Sequence, residues 1–301
     1  MASTLGLANS DLPQIYQSAD RSSLVAQRQF LIAMKCRLAL VVAAAFFGVV
    51  SVRLGWAPFD VSGVLAATAF LGAMLAEIFL LKRRPERTWY EGRAAAESLK
   101  TLSWRYSVCG EPFTAQLSAR EADRLFQSRA YDVLADLDNL SLEVPSAATD
   151  QVTPGMRAAR ALSLEERKQL YTQYRIVDQQ DWYAAKSRWN REQSSWWSVR
   201  LLLIEAAGLV AAIVRATGVV RLDILGVASA VVAAATAWLQ TKQHESLGTA
   251  YAVASFELAS IQSKAPLIED EQSWGKFVDD AEAAISREHT LWKASRVLPG
   301  L

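Results

Sequence analysis

Four apolar stretches, residues 38–52, 61–81, 201–214 and 224–239, stand in this chain as two pairs. Each pair is joined by a short loop and edged on its outer side by Lys and Arg. A helix that crosses the ~30 Å hydrocarbon core of a bilayer needs about 20 mostly apolar residues. Residues 61–81 meet that length. Residues 38–52 are short, but Arg37 and Arg53 can snorkel, and Phe30, Leu31, Ile32 and Met34 extend the apolar face backwards. The alternative is a soluble bundle with buried core helices. Three features oppose it. The runs are rich in Ala and Gly without a polar stripe, as in 41–48 and 226–237. Trp196, Trp197 and Trp238 mark one set of ends and Trp56 the other, as an interfacial belt would. Basic residues are also one-sided. The expected fold is an all-α membrane protein: four transmembrane helices as two hairpins in tandem parallel repeats, with long cytosolic helical extensions.

Hydrophobic residues make up 51% of the 301, which alone would suit a soluble protein. Their segregation into four runs is what points to lipid. A net charge of +1 gives no global field for nucleic acid, so none is expected as a partner. Cys36 and Cys109 provide no disulfide framework. The first twenty residues have neither an apolar core nor a basic start, so no cleaved signal peptide is expected. Outside the hairpins lie Arg28, Lys35, Arg37, Lys82, Arg83, Arg84, Arg87, Lys186, Arg188, Arg191, Arg200 and Lys242, whereas the connecting loops hold only Arg53, Arg215 and Arg221. Basic residues near membrane ends favour the cytoplasm. Both termini and the middle segment are therefore expected on the cytoplasmic side of the cell (inner) membrane.

The halves repeat. At an offset of 163, Phe59-Asp60-Val61-Ser62-Gly63-Val64 falls on Leu222-Asp223-Ile224-Leu225-Gly226-Val227. Each block opens a membrane helix with Asp, where an N-cap and the helix dipole favour an acid. Both hairpins run in-out-in, so the repeats are parallel. Pro85 predicts a break after the second membrane helix. Residues 114–137 read as helical. Ser163 and Glu166 form a capping-box pattern at the start of a long helix, and 277–292 read as an amphipathic helix. The domains expected are a two-helix unit over 1–140, a linker over 141–162 and a second two-helix unit over 163–301.

Arg175, Gln179, Trp182, Lys186 and Asn190 recur at helical spacing, with Tyr183 beside them. Ordinary packing between cytosolic helices and a signal-coupling surface are both open for this stripe. Together with the upstream YTQYRIVDQQDWY and the downstream FVDDAEAAISREHTLW, it resembles the SLATT superfamily of two-helix membrane proteins, including its DUF4231 group. The first half is similar to a diverged unit of the same type. The resemblance implies a prokaryotic effector in a nucleotide-signalled conflict or antiphage system. It implies pore formation or membrane perturbation when a partner sensor is triggered, and it brings no catalytic residues.

No phosphate-cradling G-x-x-x-x-G-K-[ST] is present, and His244 and His289 have no Cys/His cluster around them. Glu97, Glu257, Glu282 and Glu288 lie in charged helices and read as a solvated face. A non-enzyme without cofactor or metal is expected. Glu77 and Glu205 are candidate intramembrane polar residues, either interfacial acids or the lining of a polar path. Gly226, Ala230 and Ala234 give the fourth membrane helix a small-residue stripe for close packing, within one chain or in a homo-oligomer. The expected partners are the lipid bilayer, further copies of the chain and a sensor or nucleotide-signal protein. The functional expectation is a membrane effector; a constitutive channel or transporter and a passive scaffold are the alternatives. The topology has a direct check. In a cysteine-free variant, single cysteines near Ala57 and Thr217 should label only from outside intact cells. External labelling near Ala148 would reverse the orientation.

Overall fold

The computed structural model describes residues 7–50, 59–135, 151–218 and 223–297; the side chains of Leu134 and of 287–297 lie outside the description. Among the described residues there are helices and no strand. They are α1 (Gln14–Val49), α2 (Val61–Arg83), α3 (Pro85–Ser107), α4 (Ala119–Ala135), α5 (Pro154–Arg160), α6 (Leu164–Tyr171), α7 (Asp178–Ala216), α8 (Ile224–Lys242), α9 (His244–Gln262) and α10 (Glu271–Val297). Among the described residues, four helices are long and apolar enough to cross a membrane. Residues 38–49 of the short run are the end of the 36-residue α1, so the helix that carries them is longer than the apolar stretch itself. Arg53, Trp56 and Arg221, residues 141–150 of the 141–162 linker and the side chains of Glu288, His289 and Trp292 lie outside the described residues.

The chain forms two compact units, and each draws on both halves of the sequence. The first comprises residues 1–26, 87–187 and 249–301; the second comprises 27–86 and 188–248. The second contains the apolar runs. Its α2 and α8 begin alike. Asp60 accepts a hydrogen bond from Ser62 N, and Asp223 from Gly226 N, so each acid satisfies an end-of-helix donor as its position implied. Both helices also end alike. Arg84 and Gln243 are left-handed, with φ of 43° and 52°, and their N–H groups bond Leu80 O and Leu239 O. A left-handed residue stops the helix and re-aims the chain. Pro85 then starts α3 and His244 starts α9. The expected break at Pro85 thus has a counterpart without proline. In the first hairpin Gly72 lets α1 and α2 approach: a Cβ there would sit 3.1 Å from Leu40 Cδ1. In the second, a Cβ on Gly208 of α7 would sit 3.1 Å from Ala228 Cβ.

The first unit has an interior of its own. One cluster joins Leu12, Tyr16, Leu99, Tyr106, Phe113, Phe126 and Met156; the other joins Trp104, Tyr171, Ile176, Tyr183, Leu258, Trp274, Phe277 and Val278. Phe277, Ala281 and Ile285 are buried, as the periodicity of 277–292 required. Two expectations are corrected. Helix α4 starts at Ala119 rather than near Thr114, because Ser118 and Glu121 form a capping box: the Glu121 carboxylate accepts from Ser118 N at 3.0 Å and from its Oγ at 2.6 Å. The end of the 141–162 segment is core rather than a bare connector. Val152 and Met156 are fully buried, and Thr153 caps α5. The Ser163–Glu166 capping box is formed.

The α3–α4 turn is clasped from several sides. Arg160 donates to the carbonyls of Tyr106, Phe113, Thr114 and Leu117. Trp274 Nε1 and Arg167 Nη1 both donate to Val108 O, at 2.7 and 3.3 Å. Gly110 lies in this turn, where a Cβ would stand 2.8 Å from Val278 Cβ. Gly110→Ala should therefore destabilise the first unit by about 1–3 kcal/mol through overpacking. Thermal unfolding of the full chain in lipid nanodiscs checks this; an unchanged midpoint would show that Val278 yields freely.

Candidate functional site

Between α6 and α7 the backbone makes a π-helical stretch, Thr172–Val177. A π turn inserts one residue into a helix and rotates the residues beyond it, a feature frequent at functional sites. Here Arg175 faces inward and is 2% exposed. Its Nε donates to Glu282 Oε1 at 2.8 Å and its Nη2 to Oε2 at 2.7 Å. Glu282, on α10, is completely buried. Tyr171 Oη adds a bond to Oε1 at 3.0 Å, and Thr101 Oγ1, from α3, a bond to Oε2 at 2.8 Å. Both carboxylate oxygens therefore have two donors, the arrangement that lets a buried charge survive. Burial works against the Arg175 charge, but the charge and hydrogen bonds of Glu282 outweigh it and raise the guanidinium's pKa. Burial and then the Glu282 charge push the Tyr171 phenol well up. Beside them, burial and the Arg175 charge hold the Lys100 ammonium below its ordinary range. These groups suit a structural lock. Glu282 was expected on a solvated face and is instead the most enclosed acid of the site. The signal for it was present: Val278, Ala281, Glu282 and Ile285 lie at helical spacing, so the acid interrupts an apolar face.

The predicted stripe at 175–190 is divided. Ile176, Tyr183 and Ser187 lie on the buried side, while Trp182 and Lys186 turn outward and Gln179 is half-buried. Trp182 rests edge-on against Tyr251 at 5.4 Å, with Lys186 Nζ 5.8 Å from its ring; Tyr183 stacks on Tyr251 at 5.7 Å. In the second unit Asn190 is buried and its Oδ1 meets His244 Nδ1 at 2.8 Å. The stripe therefore presents an exposed half, Trp182 and Lys186, and an enclosed half, Arg175, Tyr183 and Asn190.

The two membrane acids also differ. Glu77 pairs with Arg37, Oε2 to Nε 2.6 Å, so α1 neutralises the acid of α2. Glu205 is exposed on α7. An uncompensated charge at mid-bilayer costs roughly 2.5–3.5 kcal/mol on insertion scales, so the pairing of Glu77 and the exposure of Glu205 matter. At the offset of 163, Arg37 falls on Arg200 and Glu77 on Gln240. The second hairpin thus keeps the cation and lacks its in-chain acid. Gly226 is exposed and touches Asp223, while Ala230 and Ala234 are half-buried. The tight contact of α8 is made instead at Ala228, opposite Gly208, which the small-residue pattern had not singled out. Among the described residues no three His, Cys, Asp or Glu side chains gather as metal ligands.

Comparison with known families gives two matches. The model for SMODS and SLOG-associating 2TM effector domain 3 matches residues 13–168, and the model for SMODS and SLOG-associating 2TM effector domain 1 matches residues 171–292. No curated protein and no solved structure matches the chain.

The buried pair makes a quantitative prediction. Glu282→Ala should destabilise the chain by about 3–5 kcal/mol, because it strands Arg175 without a counter-charge. Replacing both partners, Arg175→Met with Glu282→Leu, should cost far less. Thermal unfolding of the three proteins decides it; a double variant as unstable as Glu282→Ala would assign the loss to packing alone.

Proposed function

Because the chain belongs to the SLATT family of two-helix membrane effector domains and carries two in tandem, we propose that it is a multi-pass effector that opens or perturbs the bilayer on a nucleotide-linked signal. The host is a prokaryotic cell in conflict with a phage or a rival, and the membrane is the inner one. Both termini face the cytoplasm. The protein works as an assembly of copies, without catalysis, and answers to a partner sensor. One observation supports this reading most. In the 18-residue apolar stretch of each of the four candidate spans no more than 11% of the residues are buried inside the chain. Helices so bare of intramolecular packing, and bearing Arg37, Glu77 and Glu205, are suited to contacts with lipid and with other copies. A transporter that encloses its substrate path within one chain would bury more of them.

Helix α7 contributes residues to both compact units. A helix is a stiff rod rising ~1.5 Å per residue, so repacking around Trp182 and Lys186 is the proposed route by which a signal reaches the membrane. Controlled expression in cells, read as dye uptake and growth, tests the function. The expected result is conditional permeability with growth arrest, and Trp182→Ala should lose both at unchanged abundance in the membrane fraction. Intact permeability barriers at full membrane abundance, with the cognate signal present, would sink the effector reading. Constant leakage without toxicity would favour a constitutive channel.

A further inference from the structure

Glu205 and Arg200 are both exposed on α7, and neither has an acid–base partner among the described residues. Arg200 lies over the rings of Trp196, at 4.3 Å, and Trp197, at 5.5 Å. Residues five apart on a helix are ~7.5 Å apart along its axis and about 140° apart around it. The face between these two directions is taken, because Gly208 falls there and is buried against Ala228 of α8. The cation and the acid therefore project from opposite flanks of the second hairpin and cannot meet each other.

We propose that α7 is the contact between neighbouring copies of this chain, with Glu205 of one copy paired to the partner's Arg200. Charge complementarity selects a second copy as the occupant. The first hairpin pairs Arg37 with Glu77. The second pairs Arg215 with Asp223 but has Gln240 at the position of Glu77, so Arg200 and Glu205 are left for an outside partner. A lipid phosphate could serve Arg200 but would repel Glu205. The two long side chains have to span the ~7.5 Å difference in depth between them, which takes the Arg200 guanidinium off the Trp196 ring and toward the C-terminal end of the neighbouring helix. Donor and acceptor on opposite flanks make the contact head-to-tail, the kind that closes into rings. The inference deepens the proposed function by naming the partner and the surface, and it rests on the membrane placement of α7.

The test uses full-length chains, labelled with donor or acceptor dyes and reconstituted in phosphatidylcholine vesicles. Energy transfer between copies should be lost in R200E and in E205R. It should return when the R200E and E205R proteins are mixed, because each then supplies the charge the other lacks, and in the double variant R200E/E205R. Wild-type transfer in both single variants overturns the contact. So does loss that only the double variant restores, which would mean pairing within one chain, and loss that nothing restores, which would mean damage to the helix. Dye uptake by cells that supply the cognate signal separates the two ideas. Transfer in vesicles without uptake in those cells leaves the contact and removes the pore; uptake with transfer indifferent to the charges does the reverse.

Discussion

The interior of the first unit is organised around one carboxylate. Glu282 is wholly enclosed and holds donors from Arg175, Tyr171 and Thr101, so α10, the π turn, α6 and α3 meet at a single group. An enclosed charge is a poor source of stability compared with apolar side chains of similar volume. It is demanding about geometry, because both oxygens must find donors at once. Such a centre favours one arrangement of these helices over others in which apolar faces would fit about as well.

The membrane unit obeys a different logic. In lipid the apolar faces gain nothing by packing on one another, so close approach is left to small residues and specific polar pairs. Gly72 against Leu40 and Gly208 against Ala228 are close approaches, and Arg37–Glu77 in the first hairpin and Arg215–Asp223 in the second are ion pairs. The two hairpins share their start, an Asp cap, and their end, a left-handed residue. They differ in which charges are answered inside the chain: Arg37 and Glu77 pair in the first and Arg215 and Asp223 in the second, where Arg200 and Glu205 have no such partner among the described residues.

Much of this was legible in the sequence. Apolar runs segregate because lipid tolerates few charges, so the four spans could be read from hydropathy alone, and Asp60, Asp223, Pro85 and Ser163 declared the helix ends through local chemistry. The π turn was not legible. A helical periodicity counted through it groups Trp182 and Lys186 with Arg175, whereas Arg175 is buried and Trp182 and Lys186 are exposed. Glu282 was hidden by its acidic surroundings, Asp279-Asp280-Ala281-Glu282, since spacing alone does not say which acid will find Arg175 across 107 residues. The compact units were illegible for a related reason: a tandem repeat suggests two modules in series, and contacts between its halves leave no mark in a local pattern.

Those contacts have a consequence for how the chain is made. Thr101 bonds Glu282 across 181 residues. A ribosome adding ~5–20 residues per second has delivered α3 well before α10 emerges. Closure of the first unit must wait until both hairpins, including α8, have left the ribosome. The tandem duplication therefore did not yield two proteins on one thread. Each half leaves part of a core open until the other arrives, and the growing chain passes through a stage with its first hairpin ready for the bilayer and its polar centre unassembled.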